Sequence, residues 1–563
     1  MLLADILEES ARKGSDRVAV RFKGKAYTYE DVRQRVGRLT AAWVRLGVRP
    51  GDHVAVIAPN SLAFIETTFS CARLGAVCEA YNVRLAPRVI VELLKRSNAQ
   101  VVVVTPEMQE RLAGLWKDVG CPLTLVLLDD AAEGAEGVVG AAGEGASGAP
   151  AEGAAPGGAA GEGASDVAFE GALVQGVQAQ HGYEGLLASA ADEPLPEAVA
   201  VRPEDPVFML YTSGTTGLPK GVVFSQEAMV NRAQADVEGM RFSRDDIMLF
   251  VLPFYHVTCV SVFAVLLVGA QMVIGQSNKA PDIVSYVNRY GVTRVGLVPY
   301  HMRTLAAYVE AEHVTVDTLK LVIYGAEPAG PALLSRCRAL LECDFLQGYG
   351  MTETASSVTV LLPEHHKDPR LLETAGVPLP GVEIRIVDEE GRVCPPGTSG
   401  EVVVKTNTLM LGYWNDLDQT ARVVKDGWYY TEDIGFVDED GFLTLVDRKN
   451  NLVITGGENV YPLEVSRCIA SLGACIADVA VTGVPDERWG ESLVAFVVRA
   501  PGAAVTEEDI VAHCADELGH YKKPKRVVFV DDLQRKSSGK VPKERLDELV
   551  AAYVTGKDDH GRL

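Results

Sequence analysis

The sequence predicts an α/β protein: a large N-terminal domain of stacked, mostly parallel sheets with helices, followed by a small α+β C-terminal domain. Three observations lead there. Short apolar runs bounded by turn residues alternate with segments of helical periodicity through most of the chain, which is the pattern of strands buried between helices. After about residue 445 the alternation gives way to a compact α+β pattern. The chain has 563 residues, 47% hydrophobic and 23% charged, ample for several cores and unlike a disordered or fibrous sequence.

The elements follow in order. The first 13 residues have few apolar side chains before Asp5 and no basic leader, so they read as a short amphipathic helix rather than a secretory signal, and a cytoplasmic location is expected. Thr28 reads as a helix N-cap, with Val32, Val36, Leu39, Trp43 and Leu46 on one face at spacings of four and three, and an end near Gly47. Arg49-Pro50-Gly51-Asp52 is a turn, and Val54 to Ala58 a strand; similar strands are expected at 101–105, 294–298 and 319–324. Residues 131–165 hold 13 Ala, 11 Gly, five Glu and two Pro, too little bulk to pack, and read as a flexible acidic insertion within one domain.

From Ile247 to Asn278 no residue is charged, and a bilayer needs about 20 apolar residues in a row. Pro253, His256, Ser261, Gly269 and Gln271 interrupt the run, so a strand, a turn, a buried helix and a second strand are expected instead. In the small domain the pattern predicts helices near 462–472 and 506–518 and strands near 476–483, 493–499 and 527–530.

A net charge of −23 repels nucleic-acid phosphates and anionic membranes, which excludes nucleic acid as the expected partner. Ten cysteines without a C-x-x-C pair fit neither a zinc ribbon nor a disulfide scaffold, and reduced thiols are expected.

Five segments carry chemistry. Tyr211-Thr212-Ser213-Gly214-Thr215-Thr216-Gly217-Leu218-Pro219-Lys220-Gly221 combines hydroxyls, glycines that let backbone N–H groups approach closely, and a lysine, a plausible cradle for a polyanion. It is not a Walker A loop, because Pro219 stands where the second glycine is required. Gln347-Gly348-Tyr349-Gly350-Met351-Thr352-Glu353-Thr354 brings together a stacking ring, a hydroxyl and a carboxylate suited to Mg²⁺. Tyr430-Thr431-Glu432-Asp433 is followed by Asp447-Arg448-Lys449-Asn450, where a carboxylate suits a ribose diol, although an isolated charge of this kind is commonly only a solvated surface group. Gly456-Gly457-Glu458-Asn459-Val460-Tyr461-Pro462 is a glycine turn ahead of a helix, and Ser537-Ser538-Gly539-Lys540 places a lysine on a loop.

In this order and spacing the five segments resemble the adenylate-forming superfamily of acyl- and aryl-CoA synthetases, luciferases and nonribosomal peptide adenylation domains. The likeness covers nearly the whole chain outside the Ala/Gly insertion. It implies a large domain over 1–446, a hinge at 447–450 and a small mobile domain over 451–563. It also implies an AMP-forming acid–thiol ligase that uses ATP, Mg²⁺ and CoA as co-substrate: the carboxylate of a small-molecule acid attacks the α-phosphate, and a thiol then attacks the acyl carbon of the adenylate. A homodimer is compatible with the resemblance, and no membrane span is expected.

The resemblance assigns roles residue by residue. Thr212, Ser213, Gly214, Thr215, Thr216, Gly217 and Lys220 would close over the β- and γ-phosphates. Thr352 would bind the α-phosphate and Glu353 would hold Mg²⁺. Tyr349 and the segment Gly325-Ala326-Glu327-Pro328 would flank adenine, and Asp433 would take the ribose hydroxyls with Arg448 assisting. Lys540 is the expected catalytic lysine. Gly456 and Gly457 would line the thiol channel once the small domain rotates. His256, in Pro253-Phe254-Tyr255-His256, would lie between the acid site and the thiol entrance, though without the resemblance it reads as a core histidine. The apolar run after it would place Cys259, Val260 and Phe263 beside the acid, implying an aryl, cinnamic-type or medium-chain acid.

The chain departs from the family pattern at three places: Glu432 stands where glycine is usual, Asn450 where the hinge normally has Asp or Lys, and Gln534 where proline is frequent. These leave room for another acceptor, either a carrier protein or an amine that attacks an AMP-activated oxyacid such as nitrite, as in diazo-forming relatives.

Overall fold

The computed structural model describes residues 1–128, 175–194, 199–212, 218–327, 329–455, 458–486, 489–535 and 540–556. Two mostly parallel sheets organise the first part of the chain. In a nine-stranded sheet, Leu321–Gly325 and Asp344–Met351 are parallel neighbours, and Ser356–Leu361 runs antiparallel beside them. In an eight-stranded sheet, Pro206–Thr212 pairs in parallel with Val77–Ala80 and antiparallel with Lys220–Ser225. Helices cover these sheets, and the largest core cluster encloses Trp43, Phe69, Phe208, Phe224 and Phe263.

Local chemistry sets the elements where the sequence places them. The helix Tyr29–Arg45 begins at Thr28, whose hydroxyl accepts from the Asp31 N–H at 3.0 Å while the Asp31 carboxylate accepts from the Thr28 N–H at 2.8 Å. Val32, Val36, Leu39 and Trp43 are buried on its inner face. The uncharged run resolves into the strand Ile247–Phe250, a 3₁₀ turn Val257–Val260, the helix Ser261–Leu267 and the strand Gln271–Ile274. Among the described residues no helix is long and apolar enough to cross a membrane.

The insertion 131–165 lies outside the described residues. The strands on either side of it, Leu123–Leu127 and Val177–Gly182, are parallel neighbours in one sheet, so the chain leaves and re-enters the same layer. A parallel pair needs a crossover connection rather than a hairpin.

The expectation of parallel sheets fails over residues 382–448. Val382–Val387, Gly400–Thr406, Trp428–Val437 and Leu443–Arg448 form an antiparallel third sheet. Its last two strands are joined by the short connection 438–442, which can join only antiparallel neighbours.

The small unit has a sheet in which Ile476–Asp486 and Gly490–Arg499 form a long hairpin, both strands extending beyond the predicted limits. The helices Pro462–Ala470 and Glu507–Leu518 pack on it. A further helix, Lys543–Thr555, was not foreseen, although Leu546, Leu549, Val550 and Tyr553 mark its inner face against Val484, Phe496 and Leu533. Of the expected hinge 447–450, Asp447 and Arg448 close the strand Leu443–Arg448, and Lys449 opens a 3₁₀ turn. The Asp447 carboxylate accepts from the Leu463 N–H at 2.6 Å and from the Asn451 amide at 3.0 Å, which ties the third sheet to the first helix of the small unit.

Candidate active site

Ser213, Gly214, Thr215, Thr216 and Gly217 lie outside the described residues, but the strands that flank them are in view. Thr212 and Lys220 face each other across the antiparallel pair. The Lys220 ammonium sits 5.0 Å from the centre of the Tyr413 ring, and the Tyr413 hydroxyl donates to Glu353 Oε1 at 2.8 Å. Glu353 is further tied by its carbonyl, which accepts from the Met410 N–H at 2.9 Å. One aromatic ring thus bridges the expected phosphate lysine and the expected metal carboxylate, from a residue that sequence reasoning missed. Its signal was an aromatic pair, Tyr413-Trp414, directly after a glycine.

Thr352 and Glu353 form a 3₁₀ turn at the end of the strand Asp344–Met351. The strand bends close to its neighbour there: a Cβ on Gly350 would lie 2.0 Å from the Ser356 carbonyl oxygen, and one on Gly325 would lie 2.4 Å from the Gly348 carbonyl oxygen. Only glycine permits that approach. The Tyr349 hydroxyl donates to Asp433 Oδ2 at 2.6 Å, and Arg448 Nε lies 3.0 Å from Asp433 Oδ1. Asp433 and Arg448 are register partners on adjacent strands. Burial, reinforced by Asp433, pushes the Tyr349 hydroxyl well above its usual pKa, so it stays a donor. An ionised carboxylate has about four acceptor positions, so Asp433 retains capacity for a diol.

Lys540, described next to the segment 536–539, keeps solvent-exposed surface in a crowded cleft. Burial and the neighbouring Arg448 lower its pKa, while Asp433, Glu353 and Glu327 oppose that shift. His256 caps the turn Val257–Val260. Burial, with Lys540 and Arg84 beside it, lowers its pKa to about 4, so the ring is neutral at neutral pH. Lys540 therefore lies within electrostatic reach of His256, Glu327, Glu353, Asp433 and Arg448, from five separate segments of the large unit. Gly325, Ala326 and Glu327 end the strand Leu321–Gly325, with Ala326 in the left-handed region at φ 70°. Pro328, Gly456, Gly457, Ser537, Ser538 and Gly539 lie outside the described residues.

The acid side departs from expectation. Cys259, Val260 and Phe263 are 1%, 0% and 1% exposed, so they face no space for a substrate. Phe263 packs edge-on against Phe69 and Phe208, because the helix Ser261–Leu267 turns its apolar face into the core. Arg84 instead lies within electrostatic reach of Tyr255, His256 and the buried His301. Burial, then Arg84, lowers the His301 pKa to about 4. Neither residue stood in a recognisable motif.

Cations from Lys220, Arg448 and Lys540 thus surround carboxylates from Glu353 and Asp433, an arrangement able to hold a polyanion with a divalent cation. Among the described residues no cluster of three His, Cys, Asp or Glu side chains forms a metal cage. A single carboxylate such as Glu353 fits Mg²⁺, which is usually held by one or two carboxylates together with phosphates and water.

The chain is similar to known proteins over most of its length. The family described as AMP-binding enzyme matches residues 7–414, and the one described as AMP-binding enzyme C-terminal domain matches residues 464–540. The chain is 31% identical over 538 residues to a fatty acid–[acyl-carrier-protein] ligase, ScoC, of Streptomyces coeruleorubidus, covering 94% of this chain and 92% of that protein. It is 32% identical over 540 residues to a feruloyl-CoA synthase of an Amycolatopsis species, covering 95% and 96%. The crystal structure of ATP-bound MatB from Rhodopseudomonas palustris superposes with a TM-score of 0.79 at 26% identity, over 98% of this chain and 99% of that one.

Proposed function

The chain belongs to the AMP-binding enzyme family, and from that premise we propose that it activates a carboxylic acid as its acyl-adenylate and transfers the acyl group to CoA. The proposed acid is aryl, cinnamic-type or medium-chain. The observation that carries the reading is the convergence of Lys540 with Asp433, Arg448, Glu353 and His256 around one cleft.

In the first half-reaction a carboxylate oxygen attacks the α-phosphorus of ATP, the bond to the β-phosphate oxygen breaks, and pyrophosphate leaves. Such a transfer needs charge neutralisation and alignment more than covalent help. Lys540 bridges the acid carboxylate and the α-phosphate. Thr352 donates to the α-phosphate, Lys220 faces the departing phosphates, and Asp433 and Arg448 hold the ribose. Glu353 would hold Mg²⁺, which would supply charge neutralisation at the phosphates.

In the second half-reaction the thiol sulfur attacks the acyl carbon, the acyl–oxygen bond breaks, AMP leaves and the thiol proton is released. Burial is the main depressor of His256, and withdrawal of Lys540 by the small domain would remove one of the two cations that add to it, so the imidazole would regain part of its basicity as the thiol arrives.

The test is incubation with ATP, Mg²⁺ and a panel of acids, with and without CoA, following pyrophosphate, AMP and thioester. Acid-dependent pyrophosphate with CoA thioester is expected; no acid-dependent pyrophosphate would refute adenylation. Lys540→Ala is expected to lose ATP–pyrophosphate exchange yet convert supplied acyl-adenylate to thioester, and equal loss of both activities would refute that division. A carrier-protein thiol as acceptor is the second reading, favoured by the relative named as an acyl-carrier-protein ligase. Adenylate formed without CoA thioester would support it.

A further inference from the structure

Arg535 precedes Lys540 by five residues and belongs to no expected site. Its Nε and Nη2 grip both oxygens of Asp478 at 2.7 and 2.8 Å, and Nη2 also donates to the Val479 carbonyl at 3.1 Å. Asp478 and Val479 lie on the long hairpin strand Ile476–Asp486, so three contacts fasten the guanidinium to the small unit. The remaining nitrogen, Nη1, donates across the interface to Glu327 Oε2 at 3.1 Å. Both side chains of this pair are 17% exposed, so solvent screens it less than a surface ion pair.

Glu327 stands two residues beyond the strand Leu321–Gly325 of the nine-stranded sheet, which makes the contact a bridge between two stiff elements. Each partner also keeps company on its own side. Glu327 is faced by Arg303 and accepts from the Tyr300 backbone N–H, both from the helix Pro299–Glu312, while Arg535 keeps Asp478. Separating the pair therefore strands neither charge, which suits a contact that is made and broken. Burial raises Glu327 to about 7 in spite of Arg535, with Asp478 adding to the rise.

We infer that the Arg535–Glu327 ion pair is the strut that holds the small unit where Lys540 faces the cleft, so that Arg535 is a positioning residue for the first half-reaction. The inference rests on the adenylation reading above. Arg535 acts through Lys540 and is placed at no substrate group, so its loss lowers the population of the competent arrangement and leaves the thioester-forming arrangement intact.

The experiment compares Arg535→Gln, Glu327→Gln and the double variant. Each single variant is expected to lower the kcat of acid-dependent ATP–pyrophosphate exchange about tenfold, the scale for a lost hydrogen bond between charged groups. For Arg535→Gln the ATP KM and thioester formation from supplied acyl-adenylate should be unchanged, and the double variant should lose no more kcat than either single one. Unchanged exchange, parallel loss of both half-reactions in Arg535→Gln, or a raised ATP KM in Arg535→Gln would each overturn the strut. Hydrogen exchange supplies a readout independent of turnover: in Arg535→Gln the amides of 325–327 should exchange faster than in the parent, and equal rates would overturn the proposal. A parent enzyme that adenylates no acid, yet shows this difference in exchange, would remove the function and leave the strut.

Discussion

His256 and the buried His301 are neutral rings at neutral pH, because burial and nearby cations disfavour a second positive charge. With both rings already neutral, the pH profile of the first half-reaction should show an inflection near 7 that comes from Glu327, and in Glu327→Gln none near the usual imidazole value of about 6.5. Initial rates of pyrophosphate exchange between pH 5.5 and 8 would check this. The same shift has a stability consequence with a definite sign. A histidine whose folded pKa is depressed to about 4 binds fewer protons folded than unfolded, so its contribution is complete above about 6.5 and is lost as pH falls toward 4. His301→Leu should therefore lose less stability than the parent between pH 7 and pH 5, by on the order of 2 kcal/mol, in urea unfolding. Tyr413 permits a finer test. Tyr413→Phe keeps the ring under Lys220 and removes the hydroxyl that bonds Glu353 and Tyr429, so the Mg²⁺ concentration for half-maximal exchange should rise several-fold, about three- to tenfold, with little change in the ATP KM.

At the scale of elements, glycine sets where the strand Asp344–Met351 can end. Gly350→Ala would drive a methyl into the Ser356 carbonyl and displace the turn that carries Thr352 and Glu353. A loss of about 2 kcal/mol or more in thermal or urea unfolding is expected, with a fall in exchange activity. Thr28→Ala is the contrasting case: it removes a helix cap far from the cleft, costs about 1 kcal/mol and leaves exchange unchanged. Elements of this kind were legible in the sequence, because capping and apolar spacing are local. The helix Tyr29–Arg45 and the strand–turn–helix–strand run from Ile247 to Ile274 followed from side-chain spacing alone. The antiparallel third sheet was not legible, since its strands are ordinary in composition and their direction depends on which strand they meet.

At the scale of the molecule, the junction between the third sheet and the small unit is a buried carboxylate. Asp447→Ala would leave the Leu463 N–H without its acceptor and cost roughly 1–3 kcal/mol of stability. With the small unit turning about this junction, as the proposed two half-reactions require, both half-reactions should fall together in Asp447→Ala, in contrast to Arg535→Gln. Parallel assays of exchange and of thioester formation from supplied adenylate would distinguish the two variants.

The sequence by itself determined the α/β class, the main helices and strands, and a set of hydroxyl, glycine, lysine and carboxylate segments suited to a nucleotide. These depend on residues within a few positions of one another. Only the tertiary structure decided that Tyr413 joins Lys220 to Glu353, that Cys259, Val260 and Phe263 are core rather than pocket, and that Arg535 reaches Glu327, 208 residues away. The reason is physical: an ion pair or a buried ring is defined by separation in space, and spacing along the chain carries no information about partners brought together by the packing of whole sheets.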